Sequence, residues 1–145
     1  MRIMSVDYGD RRTGIAICDK NEMLASPIEV ITEYSLQKSA ERVAEIAKKE
    51  HAELIVVGLP RNMDGSMGDR AKKCVEYAEL ITQYSDIEHI MWDERQTTVI
   101  AHKYLNETNV RGKKRKAVVD EVAAVIILED YLSYRKNKQK SDGTN

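Results

Sequence analysis

Arg2-Ile-Met-Ser-Val-Asp-Tyr-Gly-Asp-Arg-Arg-Thr-Gly-Ile-Ala-Ile-Cys18 is the stretch whose reading decides the fold. Arg2 to Asp7 alternates crudely and is rich in Ile, Val and Met, which predicts a first strand. Gly9 to Gly14 has turn chemistry, and Ile15-Ala-Ile-Cys18 is a second apolar run close behind. Two short apolar runs joined by a glycine-bounded turn predict a hairpin. Asp19-Lys-Asn-Glu22 makes another turn. A third strand follows around Met23 to Ile31, with Pro27 favouring a sheet edge because it cannot donate to a ladder.

Downstream the apolar period changes from two to near four. Leu36, Ala40, Val43, Ala44 and Ala47 predict an amphipathic helix over 36–50. Leu54-Ile-Val-Val-Gly58 is a wholly apolar, β-branched run, the mark of a strand covered on both faces. A loop over 59–68 leads to a second helix with Ala71, Cys74, Val75, Ala78 and Ile81 on its apolar face. Ile87 to Trp92 predicts the last strand, Thr97 to Leu105 a helix, and Ala117 to Tyr134 a long final helix after a basic loop. Three meandering strands followed by alternating strands and helices predict an α/β fold. Its five-stranded mixed sheet has three antiparallel strands, then two parallel ones, flanked by helices.

With 145 residues, the chain suits one domain, expected over 1–136, with a polar, disordered tail over 137–145. A domain of this size buries roughly two-thirds of its unfolded surface, so 42% hydrophobic residues can build a core without disulfides. Cys18 and Cys74 fit neither a zinc spacing nor a disulfide framework. No apolar run approaches the ~20 residues that span a bilayer. The N-terminus lacks a signal-peptide core, so a cytoplasmic location and no membrane partner are expected. Net charge is −1, but nine basic against five acidic residues fall in 111–145, concentrated in Arg111-Gly-Lys-Lys-Arg-Lys116 and Arg135-Lys-Asn-Lys-Gln-Lys140. Such a local cluster is compatible with phosphate-backbone binding, and equally with a solvated loop and tail.

Acidic residues near strand ends carry the chemistry. Asp7 lies at the end of the first strand among apolar flanks, so its carboxylate needs a partner to remain ionised. Asp93 and Glu94 close the last strand. Asp120 shares a helical face with Ala123, Ala124 and Ile127, a small and apolar stripe that packs close to the sheet. Three carboxylates at one sheet end would make a hard, oxygen-lined site suited to Mg²⁺ or Mn²⁺. Two such ions can activate water for phosphodiester hydrolysis. Each residue also has a plainer reading: Asp7 as a turn cap, Asp120 as a complement to the helix dipole, and Asp93 or Glu94 as surface partners of Arg95. Gly65, Ser66 and Gly68 are either a turn feeding a helix or an anion seat at its N-terminus.

Several motifs in order give this pattern a likeness. Asp7-Tyr-Gly9 with Arg12-Thr-Gly-Ile-Ala16, Gly58-Leu-Pro-Arg-Asn-Met-Asp-Gly-Ser66, Asp93-Glu-Arg95 with Thr97-Thr98, and Asp120-Glu-Val-Ala-Ala124 resemble the YqgF/RuvX family of Holliday-junction-resolvase-like nucleases of pre-16S rRNA. The likeness covers residues 1–134. It implies an RNase H-like fold, a cytoplasmic location and a metal-dependent phosphodiester hydrolase that processes the 5′ end of pre-16S rRNA. It further implies that Asp7, Glu94 and Asp120 hold two Mg²⁺ or Mn²⁺ ions and carry the catalysis, with Asp93 as a stand-in for Glu94. Arg12, Arg61 and Arg95 become phosphate contacts, and Lys113, Lys114, Arg115 and Lys116 a backbone clamp.

Two alternatives stand beside that expectation. The chain could be a resolvase of four-way DNA junctions, or a nucleic-acid-binding factor without turnover. The fourth strand ends in Gly58-Leu-Pro60, with no carboxylate where a resolvase of this superfamily places one. An actin-like ATPase would need two such domains around its nucleotide. A monomer and a homodimer both remain open.

Overall fold

The computed structural model describes residues 1–60, 64–93 and 112–143, with side chains described up to 60, over 64–93 and over 122–138. Among the described residues there are five strands, β1 (Ile3–Asp7), β2 (Arg12–Cys18), β3 (Ala25–Thr32), β4 (Leu54–Leu59) and β5 (His89–Asp93). Among the described residues there are three helices, α1 (Leu36–Lys49), α2 (Asp69–Ser85) and α3 (Gly112–Gly143). The sheet order is β3-β2-β1-β4-β5, antiparallel across β1–β2–β3 and parallel across β1–β4–β5. This is the expected mixed sheet. Pro27 lies on edge strand β3, opposite Ala16, beside an irregularity in the ladder at Ile15/Ala16.

The two sheet faces are buried differently. Met4, Val6, Ile15, Ile17, Ile55 and Val57 point to one face, where α1 and α2 cover them. Ile3, Ala16, Cys18, Leu54 and Val56 point to the other, beneath Ala124, Ile127, Leu128 and Tyr131 of α3. All six residues of β4 are buried, which is why that strand reads as a continuous apolar run.

A buried polar chain fixes the β1–β2 turn to both helices of the first face. The Thr13 hydroxyl accepts the Gly9 N–H at 3.3 Å and hydrogen-bonds the Tyr77 side chain. Tyr77 in turn shares a 2.8 Å hydrogen bond with the Ser39 hydroxyl on α1. Tyr77 is fully buried, and its ring centroid lies 4.3 Å from that of Tyr8. Burial pushes its hydroxyl far above the ordinary tyrosine pKa, so it stays protonated and able to donate.

The opposite end of the sheet is tied by charge. Arg135 donates to Glu22 at 2.8 Å, and the N-terminal ammonium reaches the same carboxylate at 3.3 Å. Arg135 holds the Glu22 carboxyl below its ordinary value of 4.5. A carboxyl whose pKa falls on folding contributes stability above its unfolded value and loses that contribution as pH drops toward the folded one. Acid titration of the melting temperature should therefore show an extra decline below about pH 4.5. That part of the decline should shrink in Arg135→Gln, and an unchanged profile would show the pair to be inert.

Several boundaries differ from the sequence reading. Arg12 and Thr13 belong to β2 rather than to the turn, since Arg12 pairs with Thr32 and Thr13 with Ile31. On α2 the buried position is Tyr77, while Val75 is only partly covered. Tyr77 escaped the periodic reading because its polar hydroxyl marked it as a surface residue, and Ser39 and Thr13 satisfy that group inside. β5 runs from His89 to Asp93 rather than from Ile87 to Trp92. The final helix spans Gly112–Gly143, so Lys113 to Lys116 stand in a helix and residues 137–143 continue it. Lys, Arg and Gln are strong helix formers, and their charge had suggested loops. The helix expected over Thr97 to Leu105 lies outside the described residues.

Candidate active site

Asp7 is the last residue of β1, the central strand, and is half-buried. Side chains alternate along a strand, and Ile3 packs beneath α3, so Asp7 faces the α3 side of the sheet. Its lateral neighbours are both glycines. Asp7 pairs with Gly14 of β2. The β1–β4 ladder matches Val6 with Val57, which brings Gly58 level with Asp7 on the other side. The carboxylate therefore sits at the sheet end with a glycine at the level position of each adjacent strand.

Helix α3 reaches this point by a register that two contacts set. The Ser5 hydroxyl, fully buried, donates to the Ala124 carbonyl at 2.6 Å. Some 13 Å back along β1, Met1 shares the Glu22 carboxylate with Arg135. Going from residue 1 to residue 5 thus corresponds to going from 135 to 124, so α3 runs antiparallel to β1. Two more strand residues advance about 6.6 Å, the length of four to five helical residues. That step brings the backbone of position 120 level with Asp7. Ala123 and Ala124 are small, which lets the helix axis lie close to the sheet here.

The other predicted residues are placed unequally. Arg12, half-buried at the start of β2, precedes Gly14 by two and so lies on the Asp7 face at the sheet end. Asp93 pairs with Leu59 at the end of β5. Met91 packs against the α1–α2 core and Trp92 against the α3 core, so alternation sets Asp93 on the face away from Asp7. β5 is also two strand spacings, about 10 Å, from β1. Asp93 is thus a poor stand-in for Glu94. Glu94, Arg61 and Arg95 lie outside the described residues, as do the side chains of Asp120, Lys113, Lys114, Arg115 and Lys116. Among the described residues, no three His, Cys, Asp or Glu side chains converge as a metal-ligand set.

The loop before α2 favours its turn reading. The Asp64 carboxylate accepts both the Ser66 N–H at 2.9 Å and the Ser66 hydroxyl at 2.6 Å. Gly65 between them has φ 88°, a conformation that favours glycine. Two polar features escaped the sequence reading altogether. One is Ser5, a lone serine in an apolar strand. The other is a cluster in which Arg70 and Lys73 meet Asp10, residues 60 and 63 positions apart.

The family model described as "Holliday junction resolvase", RuvX, matches residues 1–134. The chain belongs to the RuvX family. A relative in Halothermothrix orenii, named "Putative pre-16S rRNA nuclease", is 46% identical over 135 residues, covering 93% of this chain and 96% of its own. One of the same name in Acetivibrio thermocellus is 42% identical over 134 residues, covering 91% and 95%. Among solved structures, T. thermophilus RuvC in complex with a Holliday junction substrate superposes with a TM-score of 0.61 at 11% identity, covering 94% of this chain and 96% of that one. A fowlpox virus Holliday junction resolvase gives 0.54 at 16% identity, covering 92% and 99%. At such identities these structures establish for this RuvX member the fold alone, the RNase H-like fold of the resolvases.

Proposed function

We propose that this RuvX-family chain is a metal-dependent nuclease acting in the cytoplasm on structured RNA, in the 5′-end processing of pre-16S rRNA. The observation that carries the reading is the match of a nuclease family along residues 1–134, with Asp7 placed at the central strand's end between two glycines. Among the described residues no helix is long and apolar enough to cross a membrane.

Asp7, Asp120 and Glu94 supply only oxygen donors, a set that suits a hard divalent ion such as Mg²⁺ or Mn²⁺. Gly14 and Gly58 put no side chain of their own level with Asp7 against such a group. When bound, two such ions would polarise the phosphoryl oxygen and lower the pKa of an attacking water. The chain's own part is to fix the donors on rigid elements. β1 holds Asp7 from the centre of the sheet, and the Ser5–Ala124 hydrogen bond holds α3 at its height. Arg12, on the same face, offers a fork of donors to a phosphate and so orients the backbone. The basic residues Lys113 to Lys116, one to two turns upstream of position 120, would add salt-sensitive attraction. Arg61 and Arg95 complete the proposed phosphate contacts.

The test is cleavage of a labelled 5′-extended 16S precursor by the wild-type chain in Mg²⁺, Mn²⁺ or EDTA, with a four-way DNA junction and a plain duplex alongside. Metal-dependent cutting that is strongest on the precursor is expected. Stronger cutting of the junction would move the substrate to DNA. Binding without cutting in any metal would make the chain a non-catalytic factor.

A further inference from the structure

A second cationic group stands at the same end of the sheet, on its opposite face. Arg70 and Lys73 lie one turn apart near the start of α2 and both reach the Asp10 carboxylate, at 3.3 and 3.2 Å. Arg70 also donates to the Tyr8 carbonyl at 2.9 Å. The Arg70 guanidinium and the Lys73 ammonium lie 5.7 and 5.9 Å from the centre of the Tyr8 ring, which is buried against Tyr77. Tyr8 directly follows Asp7, so this cluster and the proposed catalytic face flank one chain turn.

We infer that Arg70 and Lys73 form a second seat for a nucleic-acid backbone phosphate, held open in the free protein by Asp10 acting as a built-in anion. The inference rests on the nucleic-acid reading above and extends it to residues outside the proposed catalytic face. Three features carry it. First, the trio is solvent-exposed, with 48%, 46% and 66% of the Arg70, Lys73 and Asp10 side chains accessible, so a phosphate can enter. Second, ion pairs this exposed add little to stability, and the Arg70–Tyr8 carbonyl bond together with the Thr13–Tyr77 chain already fastens the turn. Third, the cluster carries excess positive charge, because two cations share the single Asp10 carboxylate.

The chemistry matches a phosphodiester. Asp10 offers one oxygen to each cation, and a backbone phosphate likewise offers two non-bridging oxygens. Exchanging one anion for another avoids stripping water from a bare cation pair. The rigid Tyr8 ring holds both cations in place through the exchange. Lys73 keeps the Asp10 carboxyl below its ordinary pKa, and Asp10 raises that of Lys73, so this pair stays charged at neutral pH. A strand crossing the sheet end from Arg12 would meet this seat next.

The experiment measures binding of a short single-stranded RNA and of a DNA duplex in EDTA, where cleavage plays no part, across about 50 to 200 mM salt. Arg70→Gln with Lys73→Gln should weaken binding on the order of tenfold at the low end. It should also reduce the salt slope by about 1.4 on the RNA or about 1.8 on the duplex, the value for two lost phosphate contacts. Asp10→Asn should tighten binding several-fold. Opposite signs in the two variants are the signature, since a mere staple between turn and helix would be weakened by either. Loss on either probe supports the seat, and the probe that loses more identifies the strand it prefers. An unchanged slope in the double variant overturns the seat while leaving the nuclease reading intact. Weaker binding in Asp10→Asn, accompanied by a fall in melting temperature, also overturns it. A wild-type chain that binds neither probe overturns the seat, while cleavage of the 5′-extended precursor decides the nuclease reading separately.

Discussion

Asp7→Asn is expected to lower metal-dependent cleavage by about 10³-fold or more, equivalent to roughly 4 kcal/mol of transition-state stabilisation, while leaving the fold in place. Asparagine keeps the shape of the side chain and removes the charge that a divalent ion requires. The position tolerates the change because Asp7 is half-buried at a strand end and asparagine has the same shape, with glycines at the level positions Gly14 and Gly58. A stability change within about 1 kcal/mol is expected, so the melting temperature should move by only a few degrees. Single-turnover cleavage in Mn²⁺, run beside a thermal melt, separates the two effects. Retained cleavage would remove Asp7 from the catalytic set. Lost cleavage with a collapsed melt would make it a structural residue.

Gly9→Ala should do the reverse, damaging the fold first and activity through it. A Cβ built on Gly9 overlaps the backbone carbonyl oxygen of Arg12 and comes within 3.2 Å of its carbonyl carbon. Both atoms are main chain, so relief requires opening the β1–β2 turn. Opening that turn pulls Gly9 from the Thr13 hydroxyl and loosens the chain that runs on to Tyr77 and Ser39. A loss of about 2–4 kcal/mol is expected, a fall in melting temperature of roughly 7–13 °C for a chain of this length. Cleavage should fall with it, because Asp7 lies two residues before the distorted position. Thermal melting by circular dichroism checks the first part. An unchanged melt would mean that the turn can relax without cost.

The two expected results differ in how they were legible. Asp7 and its glycine-bounded turn stand out in the sequence because a carboxylate closing an apolar run is a local feature, readable within ten residues. The strand and helix types were equally local: β4 reads as a buried strand and α1 as an amphipathic helix because burial imposes periods of two and about four on short stretches. The helical state of 112–116 is not legible in the sequence for a related reason. A run of charge reads locally as a loop, whereas Lys and Arg extend a helix that packing has already nucleated.

What only the tertiary structure decided is which polar groups meet. Ser5 reaches Ala124 across 119 residues, and Tyr77 reaches Ser39 across 38. Gly14 and Gly58 flank Asp7 only because one neighbouring strand is antiparallel and the other parallel, in registers that no single strand encodes. The same registers turn Asp93 to the far face and bring Arg70 and Lys73 over Tyr8. The sequence by itself determined the elements, their apolar faces and the candidate carboxylates, since each depends on residues a few positions apart. Pairing register and helix placement minimise the energy of the whole packed sheet, and the geometry of the site is a product of that global minimum.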